Sequence, residues 1–222
     1  LIMSLLFKKL GVLFDPSIYA DSPDWMKGFA QAPNAIDFGE FFRVYFCTRG
    51  EPEANNMYVS RLGYVDLAKS SLEIIGISKK PCLKLGNLGQ FDEFGTYPVS
   101  VLKHNDVYFG AYGGWTRCES VPFNISIGMS KSNNSGITFS KFGVGPVLGP
   151  LLDEPFIITS PKLRFFENRY VMTYTAGHKW IMDGNNKPEI IYKLRIAFSK
   201  NLIEWSRLGK NIISDKIGEN EA

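Results

Sequence analysis

Short runs of alternating apolar and polar residues, broken by polar turns, fill most of this chain, and helical periodicity is nearly absent. Three runs open on a proline at nearly one interval: Pro33 in "APNAIDFGEFFRVYF", Pro98 in "YPVSVLKHNDVYFGAY" and Pro161 in "SPKLRFFENRYVMTYT", spaced 65 and 63 residues apart. A polar turn and a second run, around Tyr45, Tyr108 or Tyr170, follow each time. Third runs come next: "MYVSRLGYVDL", "NISIGMSKS" and "KLRIAFSKN". A fixed period with one supersecondary unit per repeat marks a repeat architecture. Four short strands per repeat point to an all-β fold, a β-propeller of four-stranded antiparallel blades.

The units span roughly 30–85, 92–149 and 154–214 of one domain, and "KIGENEA" reads as the opening of a fourth. The third strands carry a small-residue element, Gly128 to Ser130 and Ala197 to Ser199. After the turn in "SKSNNSGITFSKFG" and "AFSKNLIEWSRLG" stands an aromatic residue, Phe139 or Trp205, expected to wedge between blades. Only Ser22 to Gln31 suggests a helical turn, with Ser22 as N-cap and Pro23 at the first position. Three blades leave inter-blade faces and strand edges open. The expectation is a piece of a longer protein, or self-association into a homo-oligomer.

Composition narrows the class. Hydrophobic residues make up 45% and aromatics 14% of 222 residues, which suits packed sheets. A net charge of +3, dispersed along the chain, gives no argument for a nucleic-acid partner. Cys47, Cys82 and Cys118 are widely spaced and read as reduced thiols. No metal-ligand spacing occurs, and no cofactor is expected. The start "LIMSLLFKKLGVLF" has the wrong order of charge and apolar run for a secretory signal. No stretch reaches the roughly 18 apolar residues that cross a bilayer. A cytoplasmic protein is expected.

Several segments resemble five-bladed propeller proteins related to glycoside hydrolase families 43 and 32, a group associated with surface-polysaccharide biosynthesis in bacteria. The segments are "RVYFCTRG", "SRLGYVD", "FDEFGTYPVSV", "YFGAYGGWTR", "VPFNISIGMSKSNNSGITF", "EPFIITSP", "YTAGHKW" and "IYKLRIAFSKNLIEW". They run from about Gly11 to the C-terminus. The resemblance implies the propeller fold, further blades after "GENEA", and an axial place for Arg49.

In a propeller the first strands converge on an axial funnel, so residues just before each proline are candidates for chemistry. These are Asp92 and Glu93 in the second unit and Asp153 and Glu154 in the third, with Asp24 and Trp25 in the first and Glu219 and Glu221 in the fourth. Sugar cleavage needs one carboxylic acid to protonate the leaving oxygen and another carboxylate to attack or activate water. Crowded carboxylates spread their pKa values, which keeps one protonated. Asp92, Glu93 and Glu154 are therefore the catalytic candidates. The same residues, at strand starts, also suit turn amides or ion pairs. At the first proline Gln31 and Asn34 stand where the resembled hydrolases carry an acid, a departure from the catalytic pattern.

Arg49 and Arg61 flank a turn, and an arginine fork holds a carboxylate, phosphate or vicinal diol. Trp115 and Trp180, in "YGGWTR" and "AGHKW", offer flat platforms for sugar rings. The glycines at 113, 114 and 177 suggest turns beside them. His178 suits ligand binding or acid–base work, and Lys193 suits an anionic group. The substrate-binding candidates are thus Arg49, Trp115, His178, Trp180 and Lys193. Three functions compete: an enzyme acting on a glycan or nucleotide-linked sugar, a non-catalytic sugar-binding propeller, and an interaction scaffold. The partner expected from the first two is a carbohydrate or nucleotide-sugar ligand.

Overall fold

The computed structural model describes residues 8–213, so the expected start of a fourth blade, with Glu219 and Glu221, lies outside the described residues. Twelve strands and no α-helix are found there. The first antiparallel blade contains β1 (Gly28–Asp37), β2 (Phe41–Arg49), β3 (Ser60–Ala68) and β4 (Ile74–Ile77). The second contains β5 (Gly95–His104), β6 (Val107–Arg117), β7 (Phe123–Ser132) and β8 (Ser140–Lys141). The third contains β9 (Ile158–Phe166), β10 (Arg169–Met182), β11 (Pro188–Ser199) and β12 (Ser206–Arg207). One parallel pairing, Ser60 with Gly95, joins the first blade to the second. The fold is all-β, a partial propeller.

Each proline falls on the first strand of its blade, inside a bulge. Gln31 to Asn34, Thr96 to Val99 and Thr159 to Lys162 each carry one residue more than the partner strand opposite. Proline has no N–H for the ladder, and a bulge is where a strand tolerates that loss. Just beyond the bulge, side chains tie the inner strands of successive blades. Asn34 Oδ1 accepts from Val101 N at 2.6 Å, and Ser100 Oγ accepts from Leu163 N at 3.0 Å. The hairpins below use two-residue turns with left-handed backbone, Asn105–Asp106 (φ 48° and 59°) and Glu167–Asn168 (φ 49° and 58°). Such primed turns match the twist of the strands they join.

The helical expectation for Ser22 to Gln31 is corrected. A single reverse turn forms, with Met26 N donating to Pro23 O, and β1 begins at Gly28. Pairing with β2 satisfies this backbone, and the local capping signal does not outweigh it. The turns expected at Gly113, Gly114 and Gly177 are also corrected, since all three lie within strands. They permit close approach instead: a Cβ on Gly113 would sit 2.4 Å from Tyr97 O, and one on Gly114 would sit 2.5 Å from Asp92 Cβ.

Two seams hold the core. Tyr45, Cys47, Leu62, Val99 and Tyr112 pack between the first and second blades, where Phe139 also enters. Ile127, Met129, Leu163, Met172 and Tyr174 pack between the second and third, with Trp205 against them. The two wedge aromatics thus occupy successive seams, although the outer strands they precede have only two residues each. Among the described residues the third blade packs on the second and not on the first, so the ring is open. The far face of the first blade carries an apolar groove of about 260 Å³ between Phe14, Pro33, Phe46 and Val65.

Cys47 and Cys82 are buried, whereas Cys118 is exposed. Burial pushes the Cys82 thiol up to about 12 and raises that of Cys47 further. One thiol in three, Cys118, is therefore expected to react rapidly with a disulfide reagent in the native protein; mass mapping of two or more fast sites would contradict this packing. The buried phenols give a pH limit. Burial raises Tyr45, Tyr112 and Tyr174, and lifts Tyr192 to about 12. Unfolded tyrosines ionise near pH 10. The folded chain then retains protons that the unfolded chain releases, so stability falls as pH rises from about 10. Tyrosinate absorbance and circular dichroism should change together in that range.

Candidate functional site

The repeat acids turn into the seams. Asp92 is 0% exposed and Glu154 is 1% exposed. Asp92 Oδ2 accepts from Tyr112 Oη at 3.0 Å and pairs with Lys141. The Asp92 side chain fits only because Gly86 lacks a Cβ beside its carboxylate and Gly114 lacks one beside its Cβ. Glu154 accepts from Tyr174 Oη at 3.0 Å, pairs with Arg207, and lies 3.7 Å from Arg195 Nε. In both blades the tyrosine lies 20 residues after the acid. The cation follows the wedge aromatic in "FSK" and "WSR". The same spacing in the first blade gives Met26 and Phe46, both buried, against Val65 and Leu67. One framework position thus holds an acid–tyrosine–cation brace twice and an apolar cluster once. Asp92 and Glu154, expected at an axial cavity, are both buried, and each pairs with the cation of its own blade. Glu93 is half-buried on the loop before β5, where its carboxylate accepts from Gly89 N at 2.8 Å.

The binding candidates lie mainly at the strand ends near the bulges. Trp115, on β6 opposite Gly95, is 8% exposed, with its indole N–H buried and unpartnered. Its ring occupies the space a Cβ on Gly95 would need. Trp180 does not stand at the equivalent register. β10 leaves β9 after Ala176–Ile158, and Trp180 lies beyond, on a hairpin extension paired with β11. Phe123 nevertheless links the two, with edge-to-face ring contacts at 5.9 Å to Trp115 and 6.4 Å to Trp180. A cleft of about 340 Å³ opens beside them, lined by Phe123, Asn124, Phe156 and Trp180. His178 is exposed in a bulge of the same extension. Lys193 is different: at 5% exposure it is buried on β11 opposite Ala176.

Arg49 ends β2. Its Nε donates to Ser60 Oγ at 3.1 Å, and its guanidinium lies 4.7 Å from the Phe29 ring and 5.5 Å from that of Tyr58. Arg61, half-buried on β3, has its pKa lowered by burial, which the charge of Glu53 opposes. Glu53 itself pairs with Arg117 at 2.7 Å. Asp24 pairs at the surface with Lys27, and Trp25 donates to Lys79 O. Sequence reasoning missed Phe29, Tyr58, Lys141, Arg207 and the two brace tyrosines. The braces had a signal, since acid, tyrosine and cation recur together. Phe29 and Tyr58 had none, because their meeting depends on the fold of the loop between β2 and β3. Among the described residues no three His, Cys, Asp or Glu side chains are grouped as metal ligands, and no helix is long and apolar enough to cross a membrane.

No family model matches the chain. Two proteins of Mycobacterium tuberculosis strains, both described as uncharacterized, are 28% identical over 218 residues, covering 97% of this chain and 69% of theirs. Solved structures resemble it more distantly in sequence. A family 32 β-fructofuranosidase of Bombyx mori superposes with a TM-score of 0.57 at 16% identity, over 81% of this chain and 34% of that one. An α-L-arabinofuranosidase of Lactobacillus brevis gives 0.55 at 15% identity, over 85% and 58%. A sucrose-6-phosphate hydrolase of Lactobacillus gasseri gives 0.54 at 15%, over 81% and 36%. The chain spans less than two thirds of each of these enzymes. What it shares with them is the fold, a glycoside-hydrolase-like propeller.

The braces make a stability prediction. Removing one partner of a buried pair leaves an uncompensated charge, which costs about 3–5 kcal/mol. Asp92→Asn should destabilise the protein by that order in denaturant unfolding. The triple change Asp92→Met, Tyr112→Phe and Lys141→Ile, which copies the apolar solution of the first blade, should restore most of the loss. Wild-type stability in Asp92→Asn would remove the brace.

Proposed function

We propose that this chain forms the carbohydrate-binding part of a glycoside-hydrolase-like propeller, and that Asp92 and Glu154 each brace their own blade instead of cleaving glycosidic bonds. The ligand is a glycan or sugar conjugate. The observation that carries the reading is the aromatic run Trp115–Phe123–Trp180 beside an open cleft with Asn124 on its wall. Flat rings take the apolar face of a sugar, and an amide at the rim pairs with its hydroxyls.

A hydrolytic reading asks Asp92, Glu93 and Glu154 to supply an acid and a nucleophile or base about 5–10 Å apart across the substrate. Two of the three have no exposed surface to meet a substrate and already answer a cation of their own blade. The structural likeness to hydrolases supports the scaffold, and the same scaffold hosts different sites.

Calorimetry against a panel of oligosaccharides and nucleotide sugars tests the proposal. At least one glycan should bind, and Trp180→Ala should weaken it by about 1–3 kcal/mol through lost apolar contact. Trp180 is the better target than Trp115, whose removal would open a cavity in the seam. Release of reducing sugar by the parent, abolished in a folded Glu154→Gln variant, would overturn the non-catalytic reading. Unchanged affinity in Trp180→Ala would remove the cleft from the site.

A further inference from the structure

Two cations stand among these strand ends, Arg49 at the end of β2 and Lys162 at the bulge of β9. Among the acids named from the sequence, Asp92 and Glu154 pair with seam cations, Glu93 accepts from a loop amide and Asp24 pairs with Lys27, while Asp153 stays exposed. Arg49 is the opposite case. Its Nε is fixed by Ser60, its plane is flanked by Phe29 and Tyr58, and no carboxylate among the described residues pairs with it. The two rings meet edge to face at 5.6 Å, which closes a corner around the guanidinium.

Phe29 adds an independent observation. It holds a φ of 63° and is 43% exposed. A bulky residue in the left-handed region is strained, and such strain gathers at ligand clamps. Here it holds an apolar ring in solvent against Arg49. Lys162, exposed on the inner strand of the third blade one residue after Pro161, adds a second cation, and its charge acts with that of Arg49 on the Cys47 thiol. Tyr97 lies at the bulge of the second blade, where burial raises its phenol and the charge of Arg49 opposes the rise.

We propose that this end of the propeller selects an anionic saccharide, and that the free edge of the Arg49 guanidinium receives the ligand's carboxylate or phosphate group. The proposal rests on the carbohydrate-binding reading and adds a charge-selecting group outside the cleft lining, linked to Trp115 through the pairings Arg49–Ser60, Ser60–Gly95 and Gly95–Trp115. Arginine suits the task because its planar fork meets two oxygens of an oxyanion at once, and stacking on aromatic rings fixes the fork in advance. An arginine with no carboxylate partner also attracts an anion over a distance set by salt.

Two measurements separate the anion from the sugar. In thermal unfolding at constant ionic strength, inorganic phosphate in place of chloride should raise Tm by about 3 °C, saturably, in the wild type. Arg49→Gln should lose that rise, and Arg49→Lys should recover only part of it. Calorimetry with trigalacturonate and its methyl ester should show the free acid binding about 10- to 100-fold tighter, with the preference falling as salt rises and vanishing in Arg49→Gln. Absence of the phosphate effect in wild type, or its survival in Arg49→Gln, overturns the anion site. Equal binding of acid and ester overturns charge selection while the carbohydrate reading stands. A phosphate effect of the expected kind with no saccharide bound supports the Arg49 anion site and sinks the carbohydrate reading instead. A phosphate effect larger than that of the uronate identifies phosphate as the group received.

Discussion

Each blade begins with an edge strand that has to carry a proline. That constraint organises the rest. The inner strand pairs along its length with one neighbour, β2, β6 or β10, and its other edge is open except for the single Ser60–Gly95 pairing of β5. A proline there removes one ladder donor and blunts an edge that would otherwise invite another strand. The bulge that absorbs it adds one residue to the strand and re-aims the side chains around it. Tyr97 and Lys162 reach the axial end for this reason, while Asn34 and Ser100 turn sideways to take the backbone N–H of the next inner strand. The blades are stitched at the axis by neutral hydrogen bonds, which leaves the charged groups free to be sorted elsewhere.

That sorting gives the molecule its electrostatic character. Carboxylates go into the seams, each with a tyrosine and a cation from its own blade, and the charge is cancelled within the blade that supplies it. The apolar version in the first blade, Met26 and Phe46, shows that the position asks for volume and contact more than for charge. This agrees with the general result that a complete buried ion pair and a well-packed apolar cluster can be close in free energy. With Asp92 and Glu154 paired elsewhere, Arg49 and Lys162 are left without a carboxylate partner among the described residues.

The braces also tie the outer edge of a blade to its entry. Lys141 and Arg207 lie on two-residue outer strands, too short to hold themselves by backbone pairing alone. Phe139 and Trp205 anchor the same segments from the seam side. Short edges secured by a wedge and a buried ion pair expose little unpaired backbone, and this limits aggregation along the rim.

The sequence by itself determined the repeat, the four-strand blade and the wedge aromatics. Period, alternation and turn chemistry are local properties, and the prolines mark equivalent strands because the reason for them is local too. It also placed Asp92, Glu154 and Arg49 at strand ends. Only the tertiary structure decided which way those ends face. Acids six or seven residues before a proline read equally well as a funnel or as a brace, and the choice falls to groups far along the chain, Lys141 and Arg207, that arrive through the outer strands. Trp115 and Trp180 looked equivalent because both follow a glycine-rich strand end, yet the longer β10–β11 hairpin carries Trp180 past the register of Trp115, and Phe123 from another strand brings them together. The corner of Phe29 and Tyr58 around Arg49 left no trace in the sequence, since it depends on one strained residue and one loop meeting at a bulge. Chain-local physics fixes the elements; which charge is buried and which is left open is settled by partners distant in sequence, because only their arrival determines where water is excluded.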